Sequence, residues 1–252
     1  MDLILFFVLG TVFGSFFNVL AMSLVTGENY GSNRKRIISG RSHCPACNHQ
    51  LHLVDLVPIF SYLFLRGRCR YCKSSISPLY VCGELMAGTT FAALFYITGW
   101  DPELLVHLTL GSLLVISSIT DIKEKLVLNE VLLVFAGILL VLRVILYLSL
   151  ELSFLYYLGS GIFMFVLLMA VMILIGNKLG GGDVKLYAVI GLTIGILDAF
   201  ASLFFASVIG LIIMIPGMII GKVDRKTEIP FVPFIWAGVL ITYYVDVVDY
   251  LL

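Results

Sequence analysis

The stretch "MDLILFFVLGTVFGSFFNVL", residues 1–20, decides the fold. It is apolar over about the 20 residues that a helix needs to cross a bilayer. A secretory leader would begin with a basic head and carry a shorter apolar run. Here the head carries an acid, Asp2, so the expectation is a retained first transmembrane helix. Gly14 and Ser15 give that helix a small-residue face for packing.

The rest of the chain has the same character. Its 252 residues are 60% hydrophobic and 13% charged, with a mean hydropathy of +1.07. Globular domains are nearer half apolar and a quarter charged, so an ordinary soluble domain is excluded. The formal net charge is zero, which points to neither nucleic acid nor acidic partners, and no nucleic acid is expected. Apolar runs predict about eight spans, at about 3–24, 79–98, 104–120, 127–147, 155–175, 185–199, 201–220 and 231–250. The expected fold is an all-α integral membrane bundle, with the lipid bilayer as its first partner.

The distribution of the 16 lysines and arginines orients it. Arg34, Lys35, Arg36, Arg41, Arg66, Arg68, Arg70 and Lys73 follow the first span. Lys123 and Lys125 lie between the third and fourth, Lys178 and Lys185 between the fifth and sixth, and Lys222, Arg225 and Lys226 before the last. Basic links face the cytoplasm, so both termini are expected outside. Arg143 alone falls elsewhere, near the far end of the fourth span, where snorkelling to the interface is expected.

Residues 25–78 hold "CPAC" at 44–47 and "CRYC" at 69–72. Two such knuckles can converge four thiolates on a tetrahedral zinc. Disulfides are the alternative, and the predicted cytoplasmic placement argues against them. A segment of about fifty residues with little core needs such a staple. Zinc held by Cys44, Cys47, Cys69 and Cys72 would be structural, with His43, His49 and His52 as bystanders and Cys82 as a packing residue.

Two acids stand at the predicted cytoplasmic face. Asp183 follows Gly180, Gly181 and Gly182 in "NKLGGGDVKL", residues 177–186, and Asp121 lies in "ISSITDIKEK". Paired carboxylates that share a proton can activate a water and polarise a scissile carbonyl. The glycines allow backbone angles closed to other residues and a close substrate approach. Each acid has a blander reading: Asp183 as a helix cap, and Asp121 paired with Lys125. A proton-coupled transporter using the same acids would place them near the bilayer midplane. A non-enzymatic scaffold would leave the acids and glycines unexplained.

These residues together resemble the type IV prepilin peptidases, also called leader peptidase and N-methyltransferase. The likeness runs through "GSFFNVL", "SHCPACNHQLHLVDLVPIFSYLFLRGRCRYC", "TDIKEKLVL", "GGGDVKL" and "EIPFVPFIWAG". "AMSLVTGENYG" departs from the family where it usually has Arg-Leu-Pro, and "LVLNE" where it has Ile-Pro-Asp or Ile-Pro-Asn; Asn129 survives from the second pattern. The resemblance implies that Asp121 and Asp183 form the catalytic dyad, with Lys185 beside them in the glycine loop. It implies structural zinc at the four cysteines. Its substrates are prepilin or pseudopilin precursors with a short basic leader, cut at the cytoplasmic face of the bacterial inner membrane. The family often then methylates the new amino terminus using S-adenosylmethionine. No motif assigns that cofactor's site; Glu84, an acid inside the second span, is a candidate and is equally a buried hydrogen-bonding residue. The expected organisation is a first transmembrane helix over 1–24, a cytoplasmic four-cysteine segment over 25–78 and a seven-helix peptidase core over 79–252. A peptidase without methylation is the nearest alternative.

Overall fold

The structure, a computed structural model, describes residues 1–25, 42–150, 154–176, 180–220 and 229–245. The basic residues Arg34, Lys35, Arg36, Arg41, Lys178, Lys222, Arg225 and Lys226 lie outside the described residues. The described residues are helical, with no strand beyond two isolated bridges, His43 to Gln50 and Arg68 to Ser75. The chain divides into two compact units, Met1–Ala92 and Ala93–Leu252.

In the first unit, α1 (Asp2–Val25) packs on α3 (Pro78–Thr98) through small residues. A Cβ on Gly10 would stand 2.5 Å from the Ala87 carbonyl oxygen, and one on Gly14 would stand 2.8 Å from the Glu84 Cα. With no hydrophobic drive between helices in lipid, such close backbone approach supplies the attraction. The contact is locked by Asn18, whose Nδ2 donates to the Tyr80 carbonyl at 2.8 Å. Between these helices come a 3-10 turn, Leu53–Leu56, and the short α2, Phe60–Phe64.

The second unit is built around α4 (Glu103–Glu124), buried continuously from Leu110 to Asp121. It packs against α5 (Asn129–Leu150), α7 (Gly181–Ile194) and α9 (Val232–Val245). Helix α6 (Phe154–Leu174) lies on α7, and α8 (Ile196–Ile219) on α9. Glycines again set the approach: a Cβ on Gly238 would meet the Ser202 carbonyl oxygen at 2.5 Å.

Among the described residues, six helices are long and apolar enough to cross a membrane. The other two expected spans appear as α7 and α9, each with 14 residues in helix. The boundary expected near residue 200 lies at Gly195 instead. Its φ of +86° suits only glycine, and the Tyr156 ring stands 2.8 Å from where a Cβ would be.

Arg143 does not snorkel. It is 3% exposed; Nη1 donates to both Glu103 carboxylate oxygens, at 2.6 and 2.8 Å. Nη2 donates to the Thr193 carbonyl, and the guanidinium lies 3.8 Å above the Tyr157 ring centre. Glu103 offers a countercharge within the bundle, which hydropathy along the chain does not reveal.

Candidate active site and metal centre

The two cysteine knuckles repeat one geometry. In the first, the Cys44 N–H donates to the His49 carbonyl at 3.0 Å and the Asn48 N–H to the Cys44 carbonyl at 2.8 Å. In the second, the Cys69 N–H donates to Ser74 at 2.8 Å and the Lys73 N–H to Cys69 at 3.0 Å. Asn48 and Lys73, each four residues past its first cysteine, turn the chain at φ 55° and 61°. The Sγ atoms of Cys44, Cys47, Cys69 and Cys72 all lie within 4.8 Å of one another. Cys44 Sγ and Cys72 Sγ are 3.8 Å apart, far beyond the about 2.05 Å of a disulfide. A tetrahedron of about 2.3 Å zinc–sulfur bonds has edges of about 3.8 Å, so the donor set fits zinc.

The thiols' own electrostatics agree. Burial opposes ionisation of Cys44, yet the Cys47 and Ala46 amides bring it down to about 6. The His49 amide favours ionising Cys47, but burial and the neighbouring Cys44 and Cys72 thiols push it up to about 11. Thiolates gathered this closely repel one another, and a dication in their midst would remove the conflict. His49 takes no part and stacks on Tyr71 with ring centres 3.6 Å apart. Asp55 joins the 3-10 turn to the second knuckle, accepting from Arg70 Nε at 2.6 Å and from the Tyr71 hydroxyl at 3.2 Å.

In the second unit, Asp121 lies one turn before the end of α4 and Asp183 in the first turn of α7. Asp121 is buried and Asp183 partly so. The two stand close enough for the charge of one to act directly on the other. Asp183 is not the cap of its helix, and Asp121, although Lys125 acts on it electrostatically, is held mainly by backbone bonds. The N-cap of α7 is Gly180, with no side-chain cap bond. The Asp121 carboxylate turns to α9: Oδ2 accepts the Val232 N–H at 2.8 Å, and the Phe231 N–H adds a second backbone bond. Phe231 and Val232 of the "EIPFVPF" stretch thus reach the aspartate itself, a role that sequence analysis missed.

The glycines act differently from expectation. Gly180 has φ −64°, and the positive-φ glycines among the described residues are Gly67, Gly99, Gly176 and Gly195. What the loop needs is room. A Cβ on Gly182 would come 2.9 Å from the Val127 Cβ, and one on Gly180 would come 2.9 Å from the Asp183 carboxylate. Gly181 faces open space. Close contact with Val127 seats the first turn of α7 on the chain leaving α4. Lys185 pins the same corner, donating from Nζ to Asn129 Oδ1 at 2.9 Å.

Glu84 is already engaged. Its Oε2 accepts the Ile59 N–H at 2.7 Å, and the Ser15 hydroxyl bonds to it as well.

The chain matches the family model described as the bacterial peptidase A24 N-terminal domain over residues 8–98. It matches that of the type IV leader peptidase family over residues 108–215. A Bacillus subtilis (strain 168) protein named prepilin leader peptidase/N-methyltransferase is 33% identical over 237 residues, covering 94% of this chain and 92% of the relative. A Burkholderia pseudomallei (strain 1026b) protein of the same name is 28% identical over 273 residues, covering 100% and 88%. One from Myxococcus xanthus (strain DK1622) is 39% identical over 116 residues, covering 46% of this chain and 32% of the relative. No solved structure matches the chain.

Proposed function

Since the chain belongs to the type IV leader peptidase family, we propose that it is a membrane aspartic endopeptidase that removes the leader from prepilin-like precursors. The observation that carries this reading is the placement of Asp121 near the end of α4 and Asp183 in the first turn of α7, with Gly182 against Val127 closing the corner between the two helices. Two acids so close favour holding one proton between them. The ionised member takes a proton from water as the water oxygen attacks the scissile carbonyl; the protonated member donates to the carbonyl oxygen. The tetrahedral diol then collapses, the C–N bond breaks and the leaving amine takes a proton. No side chain becomes covalently attached. The backbone amides of Phe231 and Val232 fix the Asp121 carboxylate, and Gly181 leaves space beside Asp183 for an extended substrate.

The setting is a multi-pass membrane protein, read here as lying in the bacterial inner membrane with the dyad at the cytoplasmic face. Lys123, Lys125 and Lys185 crowd that end of the bundle, which supports the orientation. Both acids lie at helix ends, whereas a proton-coupled transporter would hold them mid-span.

Cys44, Cys47, Cys69 and Cys72 would hold zinc, which supplies a closed structural staple with no open coordination position. N-methylation of the new terminus is proposed on the relatives' names. Glu84, the candidate for the S-adenosylmethionine site, is bonded to Ile59 and Ser15.

The test incubates the purified protein with synthetic prepilins, with and without S-adenosylmethionine, and reads product masses. Loss of the leader supports the peptidase, and a further added methyl supports the transferase. Failure to cut several different prepilins overturns the reading.

A further inference from the structure

The 3-10 turn and α2 expose an apolar surface that no described element covers. Leu53 is 85% exposed, Val54 66%, Phe60 61%, Leu63 62% and Phe64 84%. Phe60, Leu63 and Phe64 fall at i, i+3 and i+4, one face of a helix. Contiguous exposed apolar side chains of this kind mark a docking surface. Immediately beyond them a cavity of about 450 Å³ is lined by Phe64, Leu65, Arg66, Arg68, Cys69 and Lys73. Apolar side chains thus pass directly into a cluster of three cations.

The height of this surface is set by a tether within the first unit. Ile59, just before α2, gives its N–H to Glu84 at 2.7 Å. Glu84 lies six residues into α3, which begins at Pro78, so the tether sits about 9 Å along that helix from its start. Helix α3 is itself one of the candidate spans. Ile59 adopts φ +63°, a costly conformation for a β-branched residue, which the tether holds. Interfacial elements bury their apolar face about 5–10 Å into the boundary between headgroups and acyl chains. With the start of α3 taken as the membrane boundary, the tether would place α2 at that depth.

We propose that residues 53–64 form an interfacial element that grips anionic phospholipid, with Phe60, Leu63 and Phe64 among the acyl chains and Arg66, Arg68 and Lys73 around the headgroup. The occupant follows from charge complementarity and from the flanking spans, α1 and α3, which bring the segment to the bilayer surface. The inner leaflet is the anionic one, so the choice of lipid rests on the cytoplasmic orientation proposed above. A prepilin leader is a poorer fit, because a basic leader is repelled by three cations. The consequence is a cysteine segment held flat at the membrane surface.

The experiment uses the full-length protein in nanodiscs, which leave both faces accessible. Phe64→Trp is read as the difference from the wild-type spectrum, to which Trp100 and Trp236 contribute in common, with Leu63→Trp as a second probe and zinc content as the check of folding. Brominated acyl chains are expected to quench most of the added emission, and aqueous acrylamide little of it. Emission that acrylamide quenches and brominated lipid does not overturns the immersion. An added tryptophan shielded only after a synthetic prepilin is added would make the surface a substrate dock and would also overturn it. Native mass spectrometry reads the headgroup: phosphatidylglycerol should be retained over phosphatidylcholine, and the triple variant Arg66→Gln, Arg68→Gln, Lys73→Gln should lose that preference by about five-fold per cation. An unchanged preference overturns the headgroup site. Neither readout requires cleavage, so failure of the peptidase reading leaves this test intact.

Discussion

Helices α4 and α7 each carry polar groups at both ends, and the two ends handle buried charge in opposite ways. At one end Glu103 of α4 and the Thr193 carbonyl of α7 meet Arg143, which also lies over Tyr157. At the other end, 18 residues or about 27 Å along α4, Asp121 lies within electrostatic reach of Asp183, and the bonds that hold Asp121 come from backbone amides at the start of α9. The first end matches opposite charges and settles its electrostatics within the fold. The second sets like charges together and leaves the conflict standing. A fold gains nothing from that conflict, whereas proton transfer requires it. Charge at membrane depth alone therefore does not identify a site; the sign of the neighbour does.

Substituting each end should give opposite phenotypes. Asp121→Asn or Asp183→Asn should lower prepilin cleavage at least about 1000-fold, with thermal stability unchanged or raised because a repulsion is removed. Cleavage measured by mass and melting of the detergent-solubilised protein check both halves. Arg143→Met should do the reverse. It strands Glu103 without its partner and should cost about 3 kcal/mol of stability, while the folded fraction cleaves normally. Adding Glu103→Gln should restore part of the loss. A stable, folded Arg143→Met protein without activity would break the comparison and make the far end functional.

The helices were legible in the sequence because the bilayer demands long apolar runs, and the cysteine knuckles because ligand spacing is local. The pairing of Arg143 with Glu103 was not, since it joins residues 40 apart in sequence and an arginine near a span's end has snorkelling as a simpler reading. The tri-glycine loop does not use the backbone angles expected of it: Gly182 allows close contact with Val127, with no positive φ in the loop. The link from Asp121 to Phe231 and Val232 uses backbone amides, which carry no side-chain signal at all. Only the prolines of "EIPFVPF" marked the place, by starting a helix whose first N–H groups needed an acceptor.

That backbone link allows a finer cut through the dyad end. Val232 is the first residue of α9, a position where proline is tolerated because its N–H is not needed by the helix. Val232→Pro removes the donor to Asp121 and leaves the helix able to form. A hydrogen bond to a charged group contributes about 1.5–3 kcal/mol, so stability should fall by about that much, and cleavage by the folded fraction should fall about ten-fold or more. Wild-type kinetics in the folded variant would show that the Phe231 amide alone suffices.

The smallest effect belongs to a third charge pair, Asp55 with Arg70 in the cysteine segment, which resembles the Arg143 end but is open to water. The Asp55 side chain is 3% exposed and that of Arg70 48%. Burial would raise the Asp55 carboxyl, yet Arg70 and the His52 amide hold it below the usual carboxylate range. A lowered folded value contributes stability above the unfolded value of about 3.9, and that contribution is lost as pH falls through the folded value. Acid also protonates the zinc thiolates, so wild type alone cannot isolate the pair. The difference between wild type and Asp55→Asn can. It should be under about 1 kcal/mol at neutral pH, as for other pairs with a solvent-exposed partner, and should vanish in acid. Melting of the two proteins across pH reads it, and a gap that persists below the folded value would mean that the hydrogen bonds from Tyr71 and His52, rather than the charge of Arg70, carry the contribution.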